Sequence, residues 1–181
     1  MKDRKLLNIE LGRLSADEYV HSRPKSGIVL VLDNVRSAHN VGSAFRTADA
    51  FGVDKIYLGG ICPVPPSPEL HKVALGAEEV VPCEHVADVV ELVRRLQADG
   101  YTVVAVEQTE HSVKLDNLPQ RFPRTRLALI FGNEVDGVQQ EVVDACDLSL
   151  EIPQQGTKHS LNVSVSIGVV LWGCKAAGLK Y

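Results

Sequence analysis

Short runs of apolar and mostly β-branched residues recur along the chain, separated by stretches with helical periodicity. The clearest runs are residues 28–32, 101–106 and 127–131. A run without alternating polar residues is typical of a strand buried on both faces, as in a parallel sheet covered by helices on both sides. We therefore expect an α/β domain with a mostly parallel sheet flanked by helices.

Caps, breakers and periodicity predict the remaining elements. Ser15 and Glu18 have the spacing of a capping box, which predicts a short helix at Ser15. Asn40 can cap a helix over residues 41–51, with Gly52 at its end. The other predicted strands are residues 55–58, 78–81 and 148–152, and the other predicted helices are residues 69–75, 86–98, 138–145 and a long final helix that starts at Ser160.

Length and composition favour one soluble domain. The chain has 181 residues, of which 45% are hydrophobic and 23% charged. We expect a single domain over residues 1–181, with an N-terminal helical extension (1–26) and a core (27–178). The longest apolar run is shorter than the ~20 residues needed to span a bilayer, and the amino-terminal segment lacks the features of a signal peptide. These observations predict a cytoplasmic protein without a membrane span.

Charge and cysteine usage give weaker indications. The four cysteines lie far apart without a Cys-x-x-Cys pair, so neither a zinc site nor a disulfide framework is predicted. The formal net charge of −4 gives no general attraction to nucleic acid. Basic residues nevertheless cluster in the first 25 positions and at Arg121, Arg124 and Arg126. These clusters are either solvated faces or contacts for RNA.

Polar stretches follow several predicted strands, at the edge where open parallel sheets bind ligands. They are residues 34–40, 132–137 and 153–160, and Gln108 and Thr109 follow another strand. The chain has no G-x-G-x-x-G, G-x-x-x-x-G-K-[ST] or G-x-S-x-G motif. A dehydrogenase, a P-loop enzyme and an acyl hydrolase are therefore disfavoured.

Asn40 and Arg46 lie on one predicted helix, six positions apart. This spacing corresponds to about 240° around the helix axis, so their side chains point in different directions. Arg46 interrupts an otherwise apolar stretch, which favours a clamp for a phosphate or carboxylate over a plain surface charge. Asn40 is a cap or a site residue.

The other two polar stretches also contain candidates. Gly132 and Gly137 allow a tight backbone path beside a ligand, and Glu134 is the carboxylate directly beyond a buried strand, although it is also consistent with a turn and a capping acid. Ser160 can serve as a cap, whereas Asn162 among apolar residues is harder to explain by packing. The two histidines in these stretches, His39 and His159, are second-choice bases.

Three sequence blocks together identify a family. The blocks are DNVRSAHNVGSAFRTADAFGV, LALIFGNEVDGV and IPQQGTKHSLNVSVSIGVVLW. They closely resemble the three motifs of the SpoU (TrmH-like) RNA 2′-O-ribose methyltransferases of the SPOUT superfamily, in the same order and with the same spacing. The resemblance covers roughly residues 28–178. One such block would be weak, but the ordered set of three is specific.

The resemblance implies more than composition and spacing do. It implies a C-terminal deep trefoil knot, which is an exception to the general absence of knots. It also implies a homodimer, S-adenosylmethionine bound in a bent form, tRNA or rRNA as the partner, and no metal. By match to the motifs, the cofactor-binding residues are Gln108, Thr109, Gly132, Ile152 and Leu161. The functional set is Asn40, Arg46, Glu134, Ser160 and Asn162.

In the family the arginine can serve the cofactor site of the partner subunit and is proposed as a general base. A guanidinium holds its proton with a pKa above ~12, so we prefer a different hypothesis. Arg46 holds the phosphate next to the target ribose and stabilises the developing alkoxide, while the phosphate or water accepts the proton. Two alternatives remain: an enzyme of the same fold that methylates a base nitrogen, and an RNA-binding module without catalysis.

Overall fold

The computed structural model describes residues 3–22, 26–118 and 126–177. Seven strands within these residues form one sheet, in which every pair of neighbours is parallel. The strands are β1 (Ile28–Asp33), β2 (Lys55–Gly59), β3 (Cys83–Val86), β4 (Tyr101–Val106), β5 (Val113–Lys114), β6 (Arg126–Phe131) and β7 (Leu148–Glu151). Their order across the sheet is β3-β2-β1-β6-β4-β7-β5.

Helices cover both faces of the sheet. The described helices are α1 (Ala16–Ser22), α2 (Ala38–Ala50), α3 (Pro68–Ala74), α4 (Ala77–Val80), α5 (Val89–Ala98), α6 (Gln140–Ala145) and α7 (Val163–Ala176), with 3₁₀ turns at Asn8–Leu11 and Leu115–Asn117.

Alternate residues of β1 enter two different apolar cores. Leu30 and Leu32 pack with buried residues of α2 and α7, whereas Val29 and Val31 pack with those of α5. All six residues of the strand are buried. The apolar run therefore has the two-sided burial that the sequence predicted, and the α/β architecture with a parallel sheet is confirmed.

Two predicted elements next to each other were wrong. Residues 78–81 do not form a strand, because Ala77–Val80 is a helical turn in which the Val81 N–H bonds to the Ala77 carbonyl. The third strand instead is Cys83–Val86, so the following helix begins only at Val89, where Asp88 caps it. The paired valines have strand propensity, but a weak local preference is readily overridden by tertiary packing.

The caps of two helices also differ from the prediction. Ser37, not Asn40, caps α2, and its side chain accepts a hydrogen bond from the Asn40 N–H at 3.2 Å. Likewise α7 begins at Val163 rather than Ser160, with Asn162 as its cap. The side chain of Asn40 and the Nδ2 group of Asn162 are therefore not used for capping and can contact other residues. The capping box at Ser15 is confirmed, since the Glu18 carboxylate accepts from the Ser15 N–H at 2.9 Å.

Strand β5 is the element that the sequence analysis missed, because two residues carry no periodic signal. It precedes β7 in the chain but lies outside it, so β7 is inserted between β4 and β5. Of the arginine cluster, Arg121 and Arg124 fall outside the described residues. The third, Arg126, stacks on the Tyr101 ring at 4.4 Å and donates to the Asp99 carbonyl at 3.2 Å.

At the amino terminus, α1 contacts α4. Among the described helices, none has both the length and the apolar character required to cross a bilayer.

Candidate functional site

A cavity of about 470 Å³ lies beyond the carboxyl ends of β4, β6 and β7. Parallel sheets of this type bind their ligands at this edge. The main walls are residues 106–108, 131–137, 150–152 and 159–163.

The structure brings most of the predicted site residues to this cavity. Three members of the set do not line it: Thr109, Arg46 and Asn40. The Thr109 carbonyl instead accepts hydrogen bonds from the backbone and hydroxyl of Ser112, at 3.2 and 3.0 Å. The predicted residues that line the cavity are Gln108, Gly132, Glu134, Ile152, Ser160, Leu161 and Asn162.

Asn40 lies just behind the cavity wall and joins two of its lining residues. Its Nδ2 donates to Glu134 Oε1 at 2.6 Å, and its Oδ1 accepts from Asn162 Nδ2 at 3.2 Å. Asn162 Oδ1 in turn accepts from the Ser164 N–H at 2.9 Å, the cap bond of α7. One continuous hydrogen-bonded chain therefore connects the three sequence blocks described above.

Glu134 is held as a carboxylate. Partial burial by itself would raise the pKa of this group, but hydrogen bonds from the Asn40 side chain and from the backbone N–H groups of Glu134, Arg36 and Ser37 outweigh it. The net effect is a pKa below the ordinary value for glutamate. The rim of the cavity therefore carries a negative charge at neutral pH.

We expect Asn40→Ala to raise the pKa of Glu134, because the variant loses the strongest hydrogen bond to the carboxylate. A depressed pKa contributes stability above the unfolded-state pKa of glutamate and loses it as pH falls through the lower folded-state pKa. The stability difference between wild type and variant should thus be largest near pH 7 and shrink below about pH 4. We expect it to be under about 1 kcal/mol, because the carboxylate is mostly solvated.

Carboxyl-carbon NMR of Glu134 and urea unfolding at several pH values measure both quantities. An Asn40→Ala variant with an unchanged Glu134 titration would show that the backbone N–H groups alone set the pKa. Ser22→Ala, at an exposed position in α1, is a suitable control, because its hydroxyl donates to the Glu18 carbonyl within that helix.

The turn after β6 is closed by its own hydrogen bonds. Asn133 and Gly137 exchange two backbone hydrogen bonds at 3.1 Å, and Asn133 Oδ1 accepts from the Val135 and Asp136 N–H groups at 2.9 and 2.8 Å. A Cβ on Gly132 would lie 1.9 Å from the Gly137 carbonyl carbon, so position 132 has no room for a side chain. The backbone of this turn therefore forms a rigid wall of the cavity.

Glu107 is a site residue that the sequence analysis missed. It lines the cavity, and its carboxylate accepts from the Gln108 N–H at 2.8 Å and the Val138 N–H at 3.1 Å. Its position directly after β4 was the available signal, since Gln108 was selected on the same ground. The Gln108 side chain reaches across the cavity and donates to the His159 carbonyl at 2.6 Å.

Arg46 lies on α2, six positions after Asn40, and its side chain is exposed. Its neighbours Phe45 and Ala48 are fully buried. Within the described part of the chain, Arg46 forms no hydrogen bond or ion pair. Asn40 therefore contacts two residues of the cavity wall, whereas Arg46 does not line the cavity of its own chain, and the divergence of their side chains stays a prediction. His39 and His159 are both exposed, and only His159 lines the cavity.

Among the described residues, one group has the proximity needed to hold a metal ion. His71, Glu78 and Glu79 present ligand atoms within 4.8 Å of one another, with His71 Nδ1 in contact with Glu78 Oε1. This group belongs to α3 and α4, and none of its members lines the cavity. The expectation that the site needs no metal stays a prediction.

The fold and the cavity define a class of protein: an α/β domain with a cavity beyond the carboxyl ends of a parallel sheet, the edge at which such sheets bind small ligands. Residues 27–172 match the model of the SpoU rRNA Methylase family. The chain belongs to this family, as its three sequence blocks predicted.

Similar proteins include the 23S rRNA (guanosine-2'-O-)-methyltransferases RlmB of Nitrosomonas europaea, with 35% identity over 86% of this chain, and of Neisseria meningitidis serogroup B, with 36% identity over 80%. The chain spans only 58% and 56% of the length of these relatives.

Solved structures show the same fold. The A. aeolicus TrmH/SpoU tRNA modifying enzyme has a TM-score of 0.76 and 25% identity, with 92% of this chain and 87% of that chain covered. The AdoMet-bound rRNA methyltransferase from Sinorhizobium meliloti has a TM-score of 0.75 and 28% identity, with 85% and 57% covered.

Proposed function

We propose that this protein transfers a methyl group from S-adenosylmethionine to a ribose 2′-OH of RNA, and that ribosomal RNA is the substrate class. One observation carries the proposal: the hydrogen-bonded chain from Glu134 through Asn40 to Asn162 borders a cavity of cofactor size. The activity of the relatives at 35% and 36% identity, which are 23S rRNA methyltransferases, favours rRNA over tRNA.

The cavity fits the cofactor in size and lining. Its volume of about 470 Å³ lies within the range of ~300–1,000 Å³ for small-molecule sites. Gly132 permits the close packing of the turn's own backbone against Gly137 and Val138, while Ile152 and Leu161 offer apolar surface. Gln108 holds the loop after β4 against the segment before α7. When bound, the cofactor supplies an electrophilic methyl group on a sulfonium.

In the reaction, a bond forms between the ribose 2′-oxygen and the methyl carbon as the bond from carbon to sulfur breaks. The 2′-OH must lose its proton, which passes to the adjacent RNA phosphate or to water. Arg46 holds this phosphate with its guanidinium fork and stabilises the negative charge that develops on the 2′-oxygen. Asn40 and Asn162 fix the position of the Glu134 carboxylate, and Ser160 lies in the same wall to contact the ribose.

In a homodimer, Arg46 of one copy would lie at the cavity of the other copy. Arg46 is exposed and does not line the cavity of its own chain, so we propose that it serves the cavity of a second copy. Exposed apolar side chains on α7 support an interface there: Val165 and Trp172 have 50% and 62% of their surface exposed.

The insertion of β7 between the earlier strands β4 and β5 supports a C-terminal segment threaded as a trefoil knot. The contact of α1 with α4 supports a single domain in which residues 1–26 extend a catalytic core of residues 27–178. The cytoplasm, where ribosomal RNA is modified, is the proposed location.

Incubation with methyl-labelled S-adenosylmethionine and separate rRNA and tRNA fractions tests the proposal. After digestion to nucleosides, the label should appear as 2′-O-methylribose in the rRNA fraction. Label on a base would favour the base-nitrogen alternative. Calorimetric binding of RNA without cofactor affinity would favour a non-catalytic RNA-binding module. The Asn162→Ala variant, in which the hydrogen-bonded chain is cut, should lose most of the incorporation.

A further inference from the structure

Three side chains that can ligate a metal meet at the junction of α3 and α4. His71 lies in α3, and Glu78 and Glu79 lie in α4. On one continuous helix, residues seven positions apart would be separated by about 10.5 Å along the axis. Here the chain turns at Leu75 and Gly76, which have left-handed φ values of 54° and 91°. The ligand atoms of the three side chains therefore lie within 4.8 Å of one another.

Glu78 is the unusual member of this group. Only 7% of its side chain is exposed, although a buried carboxylate normally has hydrogen-bond partners for its oxygens. Its Oε1 contacts His71 Nδ1, whereas its Oε2 is buried and accepts no hydrogen bond within the described residues. Such an oxygen is costly to bury, because water no longer solvates its charge. A cation at this position would remove that cost.

An ion pair between His71 and Glu78 accounts for only part of this arrangement. A protonated imidazole would satisfy Oε1 of Glu78 but would leave Oε2 without a donor. It would also provide nothing for Glu79, whose exposed carboxylate forms no hydrogen bond or ion pair in the described part of the chain. Two neighbouring carboxylates repel each other unless a positive charge lies close to both. One metal ion bound to all three side chains satisfies the whole group.

We propose that His71, Glu78 and Glu79 bind a divalent transition-metal ion, for which Zn²⁺ is the best match. Imidazole nitrogen and carboxylate oxygen both ligate Zn²⁺ at about 2.0–2.2 Å, whereas Mg²⁺ and Ca²⁺ prefer oxygen ligands alone. Ligands of a tetrahedral ion at this distance lie about 3.4 Å apart, so small side-chain movements suffice. His71 and Glu79 are exposed, so the ion can enter from solvent, and water takes the fourth position.

The ion fastens α3 to α4 at a place where both support α2. Helix α3 packs closely on α2 at Gly42, where a Cβ would lie 2.7 Å from the Leu70 carbonyl oxygen. Leu70, Ala74 and Ala77 belong to the same buried core as the apolar residues of α2. The ion therefore stabilises the support of the helix that carries Arg46. None of its ligands lines the cavity, so the expectation that methyl transfer itself needs no metal is unchanged.

Titration of the full chain with Zn²⁺, after dialysis against a chelator, tests the site. Wild type should bind the ion through His71, which nitrogen NMR of the imidazole detects as a selective change at Nδ1. The thermal unfolding midpoint should rise with Zn²⁺ concentration, because an ion that binds only the folded state stabilises it. Mg²⁺ and Ca²⁺ at the same concentrations should produce neither effect.

Variants of the two exposed ligands should lose this response. We expect His71→Ala and Glu79→Gln to fold, because both side chains are exposed, and to bind Zn²⁺ at least about 100-fold more weakly than wild type. Glu69→Gln removes an exposed carboxylate of α3 outside the group, and His111→Ala removes an exposed histidine elsewhere in the chain. Both controls should bind Zn²⁺ as wild type does.

Two results would overturn the inference. A wild-type protein with no change at Nδ1 and no shift of its unfolding midpoint at millimolar Zn²⁺ would reduce the group to an ion pair. Equal binding of Zn²⁺ by wild type, His71→Ala and Glu79→Gln would place the ion elsewhere, for example at the exposed Cys83 thiol.

Discussion

Arg46→Ala is expected to lower the rate of methyl transfer by about 100-fold or more, with little effect on the affinity for S-adenosylmethionine. Groups that stabilise charge developing in the transition state contribute about this much. Since the side chain is exposed and forms no hydrogen bond or ion pair in the described structure, its removal should cost little folding stability. Single-turnover rates with the rRNA substrate and calorimetry with the cofactor measure the two effects.

Arg46→Lys distinguishes the charge from the guanidinium fork. Lysine keeps the positive charge but cannot bind a phosphate through two parallel N–H groups, so we expect this variant to lose most of the activity across the pH range. Retention of most activity, or a pH–rate profile displaced to the lysine pKa, would contradict a guanidinium-specific role.

A mixed dimer tests whether Arg46 acts on the partner's cavity. Arg46→Ala has an intact cavity, whereas Leu161→Trp fills the cavity and keeps Arg46. Each variant alone should be inactive. In the mixed dimer, the Arg46→Ala chain supplies the intact cavity and the Leu161→Trp chain supplies the intact arginine. The two can work together only if the arginine reaches across the interface. Recovery of activity on mixing supports the exchange, and continued inactivity in a verified mixed dimer would place Arg46 at its own site.

Gly132→Ala is expected to abolish cofactor binding and to destabilise the domain. The new Cβ would lie 1.9 Å from the Gly137 carbonyl carbon and 2.1 Å from the Val138 nitrogen, and these backbone atoms cannot rotate away as a side chain can. The turn that forms the cavity wall must therefore move. Overpacking of this kind typically costs about 1–3 kcal/mol, which urea unfolding measures. Calorimetry should show cofactor affinity reduced by at least about 100-fold, as expected when ~3 kcal/mol of binding is lost.

Gly156→Ala is the matched control for this prediction. Gly156 lies in the exposed segment between β7 and α7, and a Cβ there would have no neighbour within 4 Å. Its stability and its cofactor affinity should remain within the usual range for surface substitutions, about ±0.5 kcal/mol. If Gly132→Ala behaved like Gly156→Ala, the turn would be a flexible element and not a rigid wall.

The sequence predicted the cavity-lining residues better than their interactions. Glu134 and Asn162 were selected because a polar side chain lay beside a buried strand or inside an apolar run, and both line the cavity. Glu107 follows β4, as Gln108 does, but it was missed because a single acidic residue at the end of a strand can have many different roles. Thr109 was selected because it follows a strand and by the resemblance to the family, but it does not line the cavity, and its carbonyl accepts a hydrogen bond from Ser112.

Local patterns determined the class of fold and the family. Continuous apolar runs such as residues 28–32 specify strands buried on both faces, because each face of such a strand must be covered. The glycines and polar residues of the three motifs identify the family because their order and spacing can be recognised from the sequence alone.

Only the tertiary structure decided which of these residues meet. Asn40 contacts Glu134, 94 positions later, and Asn162, 122 positions later, and no periodicity within a segment encodes such pairs. The order of the strands, the insertion of β7 between β4 and β5, and the position of Arg46 outside the cavity of its own chain have the same origin. They follow from how buried faces pack against one another over long separations in sequence, which local propensity does not determine.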